Sequence, residues 1–165
     1  MEEFQLTKYD AVKMEKLGAS ITAREIYQQP ELWEETYAIY KNKRAEIKTY
    51  LENIATKHER VRIIFTGAGT SAYVGKTVTP YLMERLDETT WDLESIPTTS
   101  IVSNPDQYLQ KETPTLLVSF ARSGNSPESV ATVDLAKEIV DDLYQMTITC
   151  AADGQLAQAA EGDDI

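Results

Sequence analysis

The chain reads as an α/β protein, a doubly wound parallel sheet preceded by a long N-terminal helix. Three observations predict it. Two short apolar runs, Val61-Arg-Ile-Ile-Phe65 and Leu116-Leu-Val-Ser-Phe120, each lead into a glycine- and serine-bearing loop and then a helical pattern. Residues 30–57 carry apolar positions alternating by four and three, which is one face of a helix. Parallel crossovers need covering elements, so strands alternating with helices imply helices on both faces of one sheet.

The chain is organised around Thr115-Leu-Leu-Val-Ser-Phe-Ala-Arg-Ser-Gly-Asn-Ser-Pro-Glu-Ser129. Its apolar run has the length of a buried parallel strand. Ser126-Pro127 reads as an N-cap followed by proline at the first helical position, where the missing N–H would have been unsatisfied anyway. Between strand and helix lie Ala121, Arg122, Ser123, Gly124 and Asn125, small donors with one cation. Such a loop turns N–H groups and hydroxyls toward a helix N-terminus, where the dipole favours an anion. The pattern predicts a phosphate cradle; an ordinary serine-capped βα loop is the alternative with the same syntax.

In chain order, a short helix is expected through Ala11 to Leu17, closed by Gly18. Thr22-Ala-Arg-Glu25 has capping-box spacing and is expected to open a second helix that Pro30 interrupts. Along the long helix, Trp33, Tyr37, Tyr40, Arg44, Ile47, Leu51 and Ile54 share a face. At about 1.5 Å per residue such a helix is on the order of 40 Å long. Its face either packs along its own domain or forms a seam with another subunit, with Arg44 as the polar position.

The first strand leads into Gly67-Ala-Gly-Thr-Ser-Ala-Tyr73, where Gly67 and Gly69 let the backbone approach a ligand and Thr70 and Ser71 bring hydroxyls. The third glycine of the dinucleotide fingerprint is replaced by Ala72, and the lysine of a P-loop is missing. The next helix runs through Val74, Val78 and Leu82, with Pro80 expected to bend it. Residues 91–96 hold a second strand. Residues 97–105 read as a strand end and loop, with Thr98, Thr99 and Ser100 as exposed turn residues and ligand contact as their alternative role. Val130, Val133, Ala136, Ile139, Val140 and Leu143 mark a helix covering the sheet. Residues 146–150 are the fourth strand, and Asp153-Gly154 makes the turn behind it. No further helix or closing cap is expected before Gly162-Asp-Asp-Ile165, so the sheet reads as unfinished. The domain reading is a helical segment over residues 1–57 and an α/β domain over 58–165, truncated on its C-terminal side.

At 165 residues the chain can bury a core without staples. A formal net charge of −11 argues against nucleic acid or an anionic membrane as partner, because both need a basic face. A lone Cys150 allows no intrachain disulfide, and with His58 as the single histidine there is no metal-ligand cluster. No apolar run approaches the roughly 20 residues of a membrane span, and Met1-Glu-Glu is the opposite of a basic signal-peptide start. A cytoplasmic protein is expected.

Two loops at the carboxyl ends of two strands converge where open α/β sheets bind ligands. Gly67-Ala-Gly-Thr-Ser71, followed by Ser119-Phe-Ala-Arg-Ser-Gly-Asn-Ser-Pro-Glu-Ser129, resembles the SIS (sugar isomerase) domain. Thr22-Ala-Arg-Glu-Ile-Tyr-Gln-Gln-Pro-Glu-Leu-Trp33 and Ile96-Pro-Thr-Thr98 resemble the tagatose-6-phosphate ketose/aldose isomerase group, also described as galactosamine-6-phosphate deaminase/isomerases. The resemblance implies an SIS-type, flavodoxin-like three-layer αβα fold that binds a phosphosugar, with no cofactor and no metal. It implies substrate contacts from Gly69, Thr70 and Ser71 in the first loop and from Arg122, Ser123, Gly124, Asn125, Ser126 and Ser129 in the second. The family's first serine in the second loop is Ala121 here, and its neighbour, often glutamine, is Arg122. Members of the group carry two SIS domains, so the chain resembles their N-terminal part.

The implied chemistry is aldose–ketose isomerisation of a hexose 6-phosphate, with loss of ammonia if the substrate is galactosamine 6-phosphate; a non-catalytic phosphosugar sensor is the alternative. The reaction needs a base near C2 and an acid for ring opening, and the sequence identifies neither. His58 falls at the end of the long helix, on the wrong edge of the sheet, and Glu128 suits the helix dipole. A homo-oligomer is expected from the aromatic seam and the unfinished sheet.

Overall fold

The computed structural model describes residues 10–159 and 165, so the first nine residues and the ending read at 162–164 lie outside the described residues. The chain forms two compact units, Met1–Lys48 and Thr49–Ile165.

In the first unit, α1 (Ala11–Lys16) starts at Asp10, whose side chain accepts from the Lys13 N–H at 2.8 Å. It closes as expected at Gly18, at φ +67°. The Ala19 N–H returns to the Met14 carbonyl and the Gly18 N–H to that of Glu15, the paired bonds of a left-handed helix end. That closure sets where α2 (Ser20–Tyr27) begins, with Ala19 as N-cap and no side-chain cap bond. Thr22 therefore sits inside the helix, and the expected capping box does not form. The following helix, α3 (Gln29–Lys57), holds Pro30 in its first turn, where proline is tolerated. Trp33, Tyr37 and Tyr40 are exposed; they are the stretch on which the expectation of self-association rests.

The second unit contains the sheet. Its elements are β1 (Val61–Gly67), α4 (Thr70–Met83), β2 (Trp91–Ser95), α5 (Thr98–Ser103), α6 (Pro105–Tyr108), β3 (Thr115–Ala121), α7 (Pro127–Ile139), β4 (Leu143–Thr149) and α8 (Gln155–Gln158). All pairings are parallel and the strand order is β2-β1-β3-β4. The run at 116–120 is thus central and parallel to that at 61–65, as its continuous apolarity predicts.

Alternation along the strands sorts side chains to the two faces. Val61, Ile63, Leu116, Val118 and Phe120 pack with Leu93 and with Tyr50 and Ile54 from the end of α3. Ile64 and Leu117 face the other way, against Ile101, Leu109, Val133, Ala136, Val140 and Leu156. Each fully buried side chain of this kind contributes about 1.5–3 kcal/mol. On α3, burial falls on Tyr50 and Ile54, with Ile47 and Leu51 only partly covered; the Tyr50 hydroxyl donates to the Gln145 carbonyl at 2.7 Å. On the far edge of β4, the Thr147 N–H donates to the Ile165 carbonyl at 2.7 Å, and the Ile165 N–H to Gln145 at 3.3 Å.

Three local expectations are corrected. Residues 97–105 are not a loop: Thr98–Ser103 is a helical turn and a half, drawn in by Ile101, which is fully buried. Leu143 opens β4 instead of ending α7, because α7 stops at Ile139 with Val140 in extended geometry. A one-turn helix, Gln155–Gln158, does follow the Asp153-Gly154 turn.

Candidate functional site

Strand order reverses between β1 and β3. The chain leaves β1 toward β2 through α4 on one face, and leaves β3 toward β4 through α7 on the other, so the two loops part and open a crevice. It holds a cleft of about 250 Å³.

The first wall is the turn from β1 into α4. Gly69 caps the helix at φ +55°, ψ −123°, which a side chain would strain, although nothing lies within 4 Å of a Cβ there. Gly67 has the opposite constraint: a Cβ would come within 2.8 Å of the Ser71 backbone and 2.9 Å of the Phe120 carbonyl oxygen. This tight passage brings Ala68, Thr70 and Ser71 to the cleft.

The second wall is the turn from β3 into α7, which presents Arg122, Ser123 and Ser126, with Ser129 reaching in from the first turn of α7. Ser126 is the N-cap, as expected, but its hydroxyl makes no capping bond. The helix is closed instead through the Ser126 carbonyl, which accepts from the Ser129 N–H at 2.9 Å and the Val130 N–H at 3.1 Å. Phe120 and Ala121 form the floor.

Of the residues expected from the sequence, Thr70, Ser71, Arg122, Ser123, Ser126 and Ser129 line the cleft, whereas Gly69, Gly124 and Asn125 do not. Gly124 and Asn125 face the chain behind the loop. The Leu156 N–H donates to the Gly124 carbonyl at 3.1 Å, and the Gln155 N–H to Asn125 Oδ1 at 2.9 Å. Asn125 thus fastens the start of α8. Motif position alone cannot show which way an amide points.

Among the described residues, Arg122 is the single cation lining the cleft, and no carboxylate or imidazole lines it. The wall of hydroxyls, the cation and the helix start suit an oxyanion. His58 lies at the amino edge of the sheet, its Nε2 2.8 Å from the Tyr144 hydroxyl. Burial, then the charge of Asp142, pushes the Tyr144 phenol up from its ordinary value.

Beside the cleft, Thr66, Thr98, Ser119, Ser129 and Thr132 form a set of buried hydroxyls. Thr98 is thus not the exposed turn residue expected. Thr66 Oγ1 has no hydrogen-bond partner among the described residues. Replacing an unsatisfied buried hydroxyl with a methyl of the same shape removes a desolvation cost, so Thr66→Val is expected to stabilise the protein by about 1 kcal/mol. Urea unfolding checks this; a lower midpoint would mean that the hydroxyl is satisfied.

The SIS domain model matches residues 45–163, a span that holds both loops and all four strands. The chain belongs to the SIS domain family. The D-galactosamine-6-phosphate deaminase AgaS of Shewanella sp. (strain ANA-3) is 46% identical over 153 residues, covering 93% of this chain and 37% of the relative. The Escherichia coli protein of the same name is 43% identical over 143 residues, covering 87% of this chain and 36% of its own length. The crystal structure of tagatose-6-phosphate ketose/aldose isomerase from Escherichia coli superposes with a TM-score of 0.82 at 37% identity, covering 96% of this chain and 41% of that one. This SIS chain therefore spans little more than a third of the curated relatives it matches. Among the described residues, no helix is long and apolar enough to cross a membrane.

Proposed function

We propose that the cleft binds the phosphate of a hexose 6-phosphate, and that the chain supplies this binding to an isomerase or deaminase acting on galactosamine 6-phosphate. The observation that carries the reading is the convergence of Thr70, Ser71, Ser123 and Ser126 with Arg122 on one cleft at a helix start. The names of the relatives support the substrate. In that reaction the open-chain 2-amino aldose loses its C2 proton and gains one at C1. The resulting C2 imine is hydrolysed by water, giving tagatose 6-phosphate and ammonia. The residues lining the cleft hold and orient the phosphate; among the described residues they include no base of the usual kind for the C2 proton.

The net charge of −11 opposes an anionic ligand, but exposed charges are screened within about 8 Å at physiological salt, so local donors decide. Each hydrogen bond to a charged group contributes roughly 1.5–3 kcal/mol. Ser123→Ala and Ser126→Ala are therefore each expected to weaken binding about ten- to a hundredfold, measured by calorimetry with galactosamine 6-phosphate. Parent-like affinity in both variants would move the phosphate elsewhere. Assays of ammonia and ketose test the reaction itself, and binding without turnover by the full-length protein would favour a phosphosugar sensor.

A further inference from the structure

At the end of β1, the ladder to β2 runs out. The Ile96 N–H donates to the Phe65 carbonyl at 2.9 Å, the last rung of the parallel pairing. Two residues on, a continuing strand would offer the Thr98 N–H to the Gly67 carbonyl. The chain turns at Pro97 into α5 instead, and the Thr98 hydroxyl takes over, donating to the Gly67 carbonyl at 3.2 Å. Gly67 is the root of the first loop and is wedged between Ser71 and Phe120. On its other side Thr98 meets α7. Thr132 Oγ1 donates to the Glu128 carbonyl at 2.8 Å and approaches the Thr98 carbonyl at 3.5 Å as a weaker branch. Thr98 and Thr132 are both almost fully buried, and Ile101 anchors α5 in the core.

We propose that Thr98 is a positioning residue for the cleft: its hydroxyl replaces a missing sheet bond, fixes the root of the first loop and sets that loop against the start of α7. The role rests on the phosphosugar reading only for its consequence, not for its geometry. A threonine suits the place because its hydroxyl reaches the Gly67 carbonyl while its methyl fills apolar space; serine keeps the first property and valine the second.

The test uses Thr98→Val and Thr98→Ser in the full chain, with three readouts: thermal midpoint, hydrogen exchange of the Ser71 and Ala72 amides, and calorimetry with galactosamine 6-phosphate. These amides donate to the Ala68 and Gly69 carbonyls at 3.1 Å each and report on the loop directly. Thr98→Val is expected to speed exchange at both amides at least tenfold and to weaken binding about tenfold. Thr98→Ser is expected to restore both within about twofold, although losing a buried methyl lowers its midpoint. Unchanged exchange in Thr98→Val overturns the proposal whether or not the ligand binds. So does binding that falls equally in both variants, because a purely structural role makes affinity follow the midpoint. If the parent binds no hexose phosphate while exchange still separates the variants, the positioning role stands and the ligand reading falls.

Discussion

Gly154→Ala is expected to lower stability by about 2–3 kcal/mol, in the range of overpacked sites, and to weaken phosphosugar binding more than tenfold. The reason is space. Gly154 has φ −68° and ψ 149°, which any residue adopts. A Cβ there would run into the Ser123 carbonyl oxygen and lie 3.2 Å from the Ala151 carbonyl oxygen. Ser123 would have to move, and its loop is clamped to α8 through Gly124 and Asn125. The same displacement that relieves the clash therefore pulls the second wall of the cleft out of place. Gly69→Ala is the informative control: nothing obstructs a Cβ there, so its cost is the positive-φ backbone alone, about 1–3 kcal/mol. Urea unfolding and calorimetry on both variants separate the two causes. Parent-like stability and affinity in Gly154→Ala would show that the second loop yields without cost.

The second large effect concerns an ion pair under the sheet. The Arg62 side chain is 7% exposed and Glu94 is 42% exposed. Arg62 Nε and Nη2 donate to the two Glu94 oxygens at 3.1 and 2.9 Å, and Nη1 donates to the Tyr108 carbonyl. Glu94→Ala leaves a buried guanidinium with a single neutral acceptor. Breaking a fully buried pair costs about 3–5 kcal/mol, and the exposure of Glu94 to water reduces that to roughly 2–3 here. Arg62→Met removes the charge that needs compensation and keeps an unbranched chain of similar length, so it is expected to lie within about 1 kcal/mol of the parent. Equal losses in the two variants, measured by urea unfolding, would show that the pair itself stabilises the fold. The neighbouring Arg60–Asp92 pair, at 64% and 47% side-chain exposure, is expected to contribute almost nothing.

The strands and both cleft loops were legible because their signals are local. A near-continuous apolar run such as Leu116 to Phe120 is the pattern of a strand buried on both faces, as in a parallel sheet. Glycine at 69 and serine followed by proline at 126 and 127 mark helix starts by their own chemistry. Helix α3 was equally plain over its length, but periodicity could not say which part of its apolar face is covered. Burial fell on Tyr50 and Ile54, and Trp33, Tyr37 and Tyr40 stayed exposed.

What the tertiary structure decided lies where local preference and packing disagree, or where long-range geometry sets the partner. Thr98-Thr-Ser-Ile-Val-Ser103 is rich in β-branched residues of low helix propensity, yet it is helical because Ile101 docks into the core. Thr22 had capping-box spacing, but the closure of α1 at Gly18 put the N-cap of α2 at Ala19, three residues earlier. Asn125 matched a ligand position by motif, and that could not show that its Oδ1 accepts from the Gln155 N–H, 30 residues away. The burial of Thr98 needed the most information: it depends on β2 ending one rung short of Gly67, and a hydroxyl's partner across 31 residues leaves no periodic trace in the chain. Sequence by itself determined which segments are strands, which loops carry the donors and in what order, since these follow from each residue's own conformational and solvation preferences. The spacing of those loops, and which donors face the cleft, came only from how the helices pack on the sheet.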